Sequence, residues 1–212
     1  MLGSNDAIVS TSSLMIGVAA SAAERATIVV AGVSALVAGA MSMAVGEYVS
    51  VSSQRDAERA DIAKETRELA EQPQAELEEL VAIYVARGLD ADLARQVAQQ
   101  LSQGNRLEAH LRDELNIDRQ TLARPLQAAW ISAASFAVFA AVPVLALLIA
   151  PATLRIPTIG AISLAALASL GALGAHLGGA LRLRAALRVT IGGVIAMGIS
   201  AGVGHLFGVA VG

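Results

Sequence analysis

Glu65 and Glu68, and again Glu76 and Glu79, stand three residues apart, the spacing that sets two carboxylates on one face of a helix. His110 and Glu114 stand four apart and add an imidazole and a further acid. Carboxylate oxygens with one imidazole suit hard or borderline divalent cations such as Fe²⁺ and Mn²⁺. Without a cation such a group repels itself, and each ionised acid raises the pKa of its neighbours. Acids at helical spacing also form ordinary solvated faces, and Lys64 and Arg67 stand close enough to pair with some of them. Inside apolar sequence, Asp6 heads a stripe of polar and small residues, Asp6, Ser10, Ser13 and Gly17, that reads as a lined path along one helix. Met43 and Glu47, four apart, place a thioether and a carboxylate on a common face. Ionisable groups at membrane depth are costly and mark function. His176 and His205 lie in Gly-rich apolar stretches and read as packing or hydrogen-bonding residues. The absence of cysteine removes disulfides, thiolate metal sites and thiol catalysis.

The elements that must position these residues follow from hydropathy. Mean hydropathy is +0.61, and 55% of residues are hydrophobic against 16% charged, a balance that excludes an ordinary soluble domain. Five apolar stretches, 7–23, 26–50, 126–150, 158–181 and 189–211, approach the roughly 20 residues a spanning helix needs. Aromatics make up only 3%, so these helices are expected to pack through Gly and Ala, with Gly174/Gly178, Gly198/Gly202 and Gly204/Gly208 as close-contact faces. No Lys or Arg precedes the first stretch and Asp6 lies at its start, which argues against a cleaved leader.

All acids except Asp6, Glu24 and Glu47 fall in one insert, 55–124, between the second and third stretches. The insert also holds most of the basic residues, from Arg55 to Arg124 and including Arg119, and Arg182, Arg184 and Arg188 fall on the same side. By the positive-inside rule the insert is cytoplasmic. Helical periodicity predicts three helices there. The first continues the second span to Pro73, the second runs over 74–87 up to Gly88, and the third covers 90–115 with a break at Gly104-Asn105. Leu77, Leu80, Val81 and Tyr84, and Leu93, Val97 and Leu101, are the apolar stripes expected to face one another.

Two other functional classes compete with a carrier. A membrane-anchored iron oxidase or store of the carboxylate-bridged kind needs Glu-x-x-His on two helices, but Leu107 stands three residues before His110. A scaffold whose acidic domain binds basic proteins is the other. A metallohydrolase lacks its His-Glu-x-x-His.

The stretches NDAIVSTSSLMIGVAAS and AGAMSMAVGEYVSVSSQRD, followed by the Glu-rich insert, resemble the vacuolar iron transporter family over nearly the whole chain. The resemblance implies an all-α integral membrane bundle of five helices. A cytoplasmic three-helix metal-binding domain lies between transmembrane helices 2 and 3, giving segments 1–54, 55–124 and 125–212. It implies a homodimer that exports Fe²⁺ or Mn²⁺ in exchange for protons, with Zn²⁺ and Co²⁺ as further ions. No enzymatic activity, prosthetic group or nucleic-acid partner is implied. Residue by residue, Asp6 matches the family's first-helix aspartate and Met43 the methionine of its Ser-Met motif. Glu65, Glu68, Glu76 and Glu79 match four glutamates of the metal-binding domain, with Pro73 between the pairs, and Glu114 matches the glutamate of its last helix. Glu47 is the further candidate on the transport path. Ala7 replaces the glycine after the aspartate, Ala35 stands where some plant members have a glutamate, and His110 and Leu111 replace a Met-Met pair. The nodulin-like branch lacks the acidic insert, so its presence implies the proton-coupled branch. Arginine in place of lysine and the Ala-rich composition read as bacterial, hence the cytoplasmic membrane; a eukaryotic chain implies the vacuolar membrane.

Overall fold

In the computed structural model, residues 2–118 and 121–211 are described. Met1, Gly212 and Arg119, the last counted above among the residues that orient the insert, lie outside them. Among the described residues every regular element is helical: α1 (Leu2–Ala20), α2 (Arg25–Glu71), α3 (Pro73–Ala86), α4 (Ala91–Gln103), α5 (Arg106–Asp113), α6 (Pro125–Ile149), α7 (Arg155–Leu177) and α8 (Arg182–Val211), with one 3₁₀ turn at Ala152–Leu154. The chain divides into two compact units, Met1–Glu47 with Gln127–Gly212, and Tyr48–Leu126.

Four helical stretches of the described chain are long and apolar enough to cross a membrane: Arg25–Glu71, Pro125–Ile149, Ala152–Leu177 and Arg182–Ala210. The 19-residue α1 is not among them, because Asn5, Asp6 and the hydroxyls of residues 10–13 lower its hydropathy. Those polar residues belong to the most enclosed helix of the first unit. Helix α1 packs on α7 and α8, reaches α6 through Ser4 Oγ and Ser135 Oγ at 3.2 Å, and meets α2 where Met15 lies against Gly32. Ile8, Met15 and Ile16 of α1 form a buried core with Ile28, Val144, Leu147, Ile159, Leu167 and Met197, contributed by all four other helices of the unit.

Small residues let α1 and α8 touch. A Cβ on Gly204 would run into the carbonyl oxygen of Gly17, and one on Gly208 would sit 2.8 Å from Cα of Ser21. Of the glycine pairs expected as contact faces, Gly204/Gly208 makes close contact in this way, whereas Cβ atoms on Gly198 and Gly202 would meet nothing. The turn after α1 spans 21–24, with Ala22 at φ 61°. Arg25, at the start of α2, caps the end of α6, its Nη2 donating to the carbonyls of Leu147 (2.8 Å) and Leu148.

In the second unit, α2 ends at Glu71 and Pro73 opens α3 at a position where a missing N–H is harmless. Gly88 at φ 100° closes α3 by letting Leu89 N–H return to Tyr84 O at 3.2 Å. Asp90 caps α4 through the N–H groups of Asp92 and Leu93, and Asn105 caps α5 through that of Glu108. The core joins Leu80, Val81, Ala94, Ala98 and Ala109, with Leu77, Tyr84, Leu89 and Leu101 around it. The stripe on α4 is therefore Ala94, Ala98 and Leu101, not Leu93, Val97 and Leu101. Leu93 is exposed, because α3 and α4 come close enough for alanines to face Leu80.

Replacing Gly204 by Ala is predicted to destabilise the protein by about 1–3 kcal/mol through overpacking against α1. Gly198→Ala is predicted to be neutral or slightly stabilising, since it improves helix propensity into open space. Thermal unfolding of the two variants in detergent is the comparison that checks this.

Candidate metal centre

Pro73 reverses the chain so that the first turn of α3 returns beside the last turns of α2, and α5 closes over both. One ligand atom each from Glu65 on α2, Glu76 on α3, His110 on α5 and Glu114 just beyond α5 lie within 4.8 Å of one another. Nδ1 of His110 is the hub, 3.0 Å from Glu65 Oε1, 3.3 Å from Glu114 Oε2 and 3.9 Å from Glu76 Oε2. His110 is fully buried, Glu65 and Glu76 are 3% and 7% exposed, and Glu114 is partly open.

Two features set this apart from a solvated acidic face. Glu65 Oε1 is enclosed and has no aligned hydrogen-bond donor although Nδ1 is 3.0 Å away, and Nε2 of His110 also lacks a partner. Buried polar atoms are rarely left in that state. Second, burial pushes the Glu65 carboxyl up to about 7, the charge of Glu114 adding to the rise and His110 opposing it. Glu76 is also raised, by burial first and by Glu79 next, again against His110. Three carboxylates around one imidazole nitrogen thus retain a proton near neutrality or accept a divalent cation in its place. The donor set, one nitrogen and three oxygens, fits Fe²⁺, Mn²⁺ and neighbouring borderline ions.

Glu68 and Glu79, expected beside their partners, do not enter this cluster. Glu68 is half-buried and held by Lys64, Nζ to Oε2 3.3 Å; Glu79 is exposed, with its charge felt at Glu76. A group that the spacing of residues did not reveal fixes α5 instead. Asp113 accepts hydrogen bonds from Tyr84 Oη (2.7 Å), Arg87 Nη1 (2.8 Å) and Arg112 Nη2 (2.8 Å), while Arg87 Nη2 donates to its backbone carbonyl (2.6 Å). Burial opposes ionisation of Asp113, but donation from Arg112, Arg87 and Tyr84 outweighs it and holds the carboxyl well below its usual range. Asp113 lies between His110 and Glu114 in sequence, so this knot sets where both side chains point.

In the first unit, Asp6 is exposed on the single chain near the start of α1, and Ser10 donates to its carbonyl at 2.7 Å. Ser13 is buried, and Gly17 lies against the backbone of Ser200 on α8. Met43 is half-buried beside Ala7, Phe136 and Ala140, with its methyl group next to Gly3. Glu47 is half-buried, and no ion pair reaches Asp6 or Glu47 among the described residues. His176 and His205 are exposed; Arg182 Nη2 lies 2.8 Å from His176 Nδ1, a hydrogen-bonding role as expected. Residues 198–202 read Gly-Ile-Ser-Ala-Gly, but they lie within unbroken helix rather than at the strand-to-helix turn a serine hydrolase needs.

Membrane-length helices together with a buried acid-and-imidazole cluster define a class, the multi-pass membrane protein that handles cations. The chain belongs to the VIT family, which it matches over residues 1–205. It is 47% identical over 209 residues to a vacuolar iron transporter of Acanthamoeba castellanii, covering 97% of this chain and 76% of the amoebal protein. It is 37% identical over 208 residues to vacuolar iron transporter homolog 5 of Oryza sativa subsp. japonica, covering 98% and 78%. The family's members are transporters and not enzymes.

The raised Glu65 carboxyl fixes the sign of a pH effect. The folded, metal-free chain keeps a proton that the unfolded chain releases near 4.5, so this contribution to stability is complete below about 4.5 and lost as the pH rises through about 7. Hydrogen exchange of α5, corrected for intrinsic rates, is predicted to show more frequent opening at about pH 8 than at about pH 5.5, and Glu65→Gln to shrink the difference. Mn²⁺ binding needs the ionised acid and is predicted to strengthen over the same interval.

Proposed function

We propose that the protein exports Fe²⁺, and Mn²⁺ alongside it, from the cytoplasm in exchange for protons. The single observation that carries this reading is the buried cluster of Glu65, Glu76, His110 and Glu114 in a multi-pass chain of the VIT family. The names of the amoebal and rice relatives favour iron as cargo.

In this reading α1 is the fifth spanning helix, its polar residues sheltered by its neighbours, and the second unit is the cytoplasmic metal-binding domain. Moving a divalent cation out of a negatively charged interior costs about 4.6 kcal/mol per 100 mV, twice the roughly 2.3 kcal/mol for one charge. Entry of two protons per ion cancels the electrical term and leaves the pH gradient to drive the cycle. That exchange needs carboxylates able to hold either a proton or the metal. Glu65, raised to about 7, has this property in the second unit. Asp6 and Glu47 take the role in the membrane, with Met43 as a soft ligand on the same helix as Glu47. Glu68 and Glu79 supply further charge around the cluster and gather ions toward it. A homodimer brings two first helices about a shared axis, which covers the Asp6 side chain that a single copy leaves exposed.

Proteoliposomes loaded with a metal-sensitive dye test the cycle. Asp6→Asn is expected to lower Fe²⁺ and Mn²⁺ flux about tenfold or more while leaving Mn²⁺ binding by the second unit intact. Flux in the parent protein is expected to fall when the pH gradient is collapsed. Transport indifferent to both changes would discredit proton exchange through Asp6.

A further inference from the structure

Lys64 is the only lysine of the chain; every other fixed positive charge is an arginine. It directly precedes Glu65 on α2, and its Nζ lies 3.3 Å from Glu68 Oε2 one turn further along. The charges of Glu114 and Glu65 also act on the Lys64 ammonium, and the charge of Glu68 acts on both Glu65 and Glu76. Glu68 therefore borders the cluster but is paired with a neighbour on its own helix. That pair is open to water, with the lysine side chain 62% and the glutamate 28% exposed. An exposed i,i+4 ion pair is weak, and a divalent ion offers the same carboxylate twice the charge. The residue type matters as much as the place. A lysine ammonium is a compact charge on a flexible stem that lets go of one oxygen at a time, whereas an arginine fork grips a carboxylate through two parallel hydrogen bonds.

We propose that Lys64 is a tethered counter-cation, holding Glu68 away from the metal centre until a divalent ion enters and then surrendering it. Lys64 thereby sets the affinity of the centre through its competition for Glu68, which the family resemblance already counts among the metal-binding glutamates. The centre binds more weakly than its acids alone would allow, which keeps the ion exchangeable. This inference rests on the reading of Glu65, Glu76, His110 and Glu114 as the metal centre.

Mn²⁺ binding to the full chain in lipid nanodiscs, followed by loss of the free-ion paramagnetic resonance signal, tests both. Lys64→Met is expected to tighten Kd by about two- to tenfold, the range that one exposed pair and one removed positive charge supply. Lys64→Arg keeps the charge but grips Glu68 harder, and is expected to weaken binding by about twofold or more. With Glu68→Gln in the background, the gain from Lys64→Met is expected to fall below about twofold. An unchanged Kd in Lys64→Met, a parent-like Kd in Lys64→Arg, or an equal gain with and without Glu68 would each overturn the proposal. Absence of Mn²⁺ binding in the parent chain would instead overturn the metal-centre reading, and the proposal with it.

Discussion

The structure of the second unit turns on the crowding of three carboxylates around a single imidazole nitrogen in a site that water barely reaches. Like charges at that distance cannot all remain ionised without a cation among them. Without a cation the cluster can keep a proton, which the rise of the Glu65 carboxyl to about 7 favours and the upward shift of Glu76 by burial and Glu79 reinforces, or borrow positive charge from a neighbour. The surrounding helices exist in a form that prevents a third choice, relaxation apart. The core of Leu80, Val81, Ala94, Ala98 and Ala109 holds the helices in register, and the knot on Asp113 holds the end of α5.

The first unit solves a related problem with opposite means. A helix as polar as α1 is a poor choice for contact with lipid, and here it is the one that the other helices enclose. Close approach is permitted by glycine where α1 crosses α8 and by the pairing of Met15 with Gly32 where it meets α2. Large apolar side chains such as Val30, Val37, Ile195 and Ile199 are left on the outer surfaces of α2 and α8, which is the arrangement expected where the solvent is hydrocarbon.

How much of this the sequence disclosed differs from residue to residue. Periodicity showed which acids share a helix face, since that depends only on 3.6 residues per turn. It could not say that Glu65 would be buried and Glu68 turned to Lys64, because burial depends on where α5 lands. The stripe on α3 was legible from Leu77, Leu80 and Val81. On α4 the larger Leu93 and Val97 drew attention away from Ala94 and Ala98, whose small size lets α3 approach. Tyr84 joins the apolar stripe by its ring, and its spacing carries no sign of the hydrogen bond that its hydroxyl donates to Asp113. Arg87 and Asp113 are 26 residues apart on different helices, so no local pattern links them. Hydropathy marks 7–23 as an apolar stretch but gives no sign that α1, with its polar residues, is the helix that the others enclose, because it weighs composition and takes no account of shelter.

The brevity of α5 limits how long the cluster of acids and imidazole stays assembled. Eight residues are too few for a helix to persist by its own hydrogen bonds, so His110 and Glu114 stay in place only while Asn105 at one end and Asp113 at the other hold fast. Fraying of this one short segment would carry away two of the four side chains in the cluster without any parting of the larger helices, so the cluster endures only as long as the least durable piece of its scaffold.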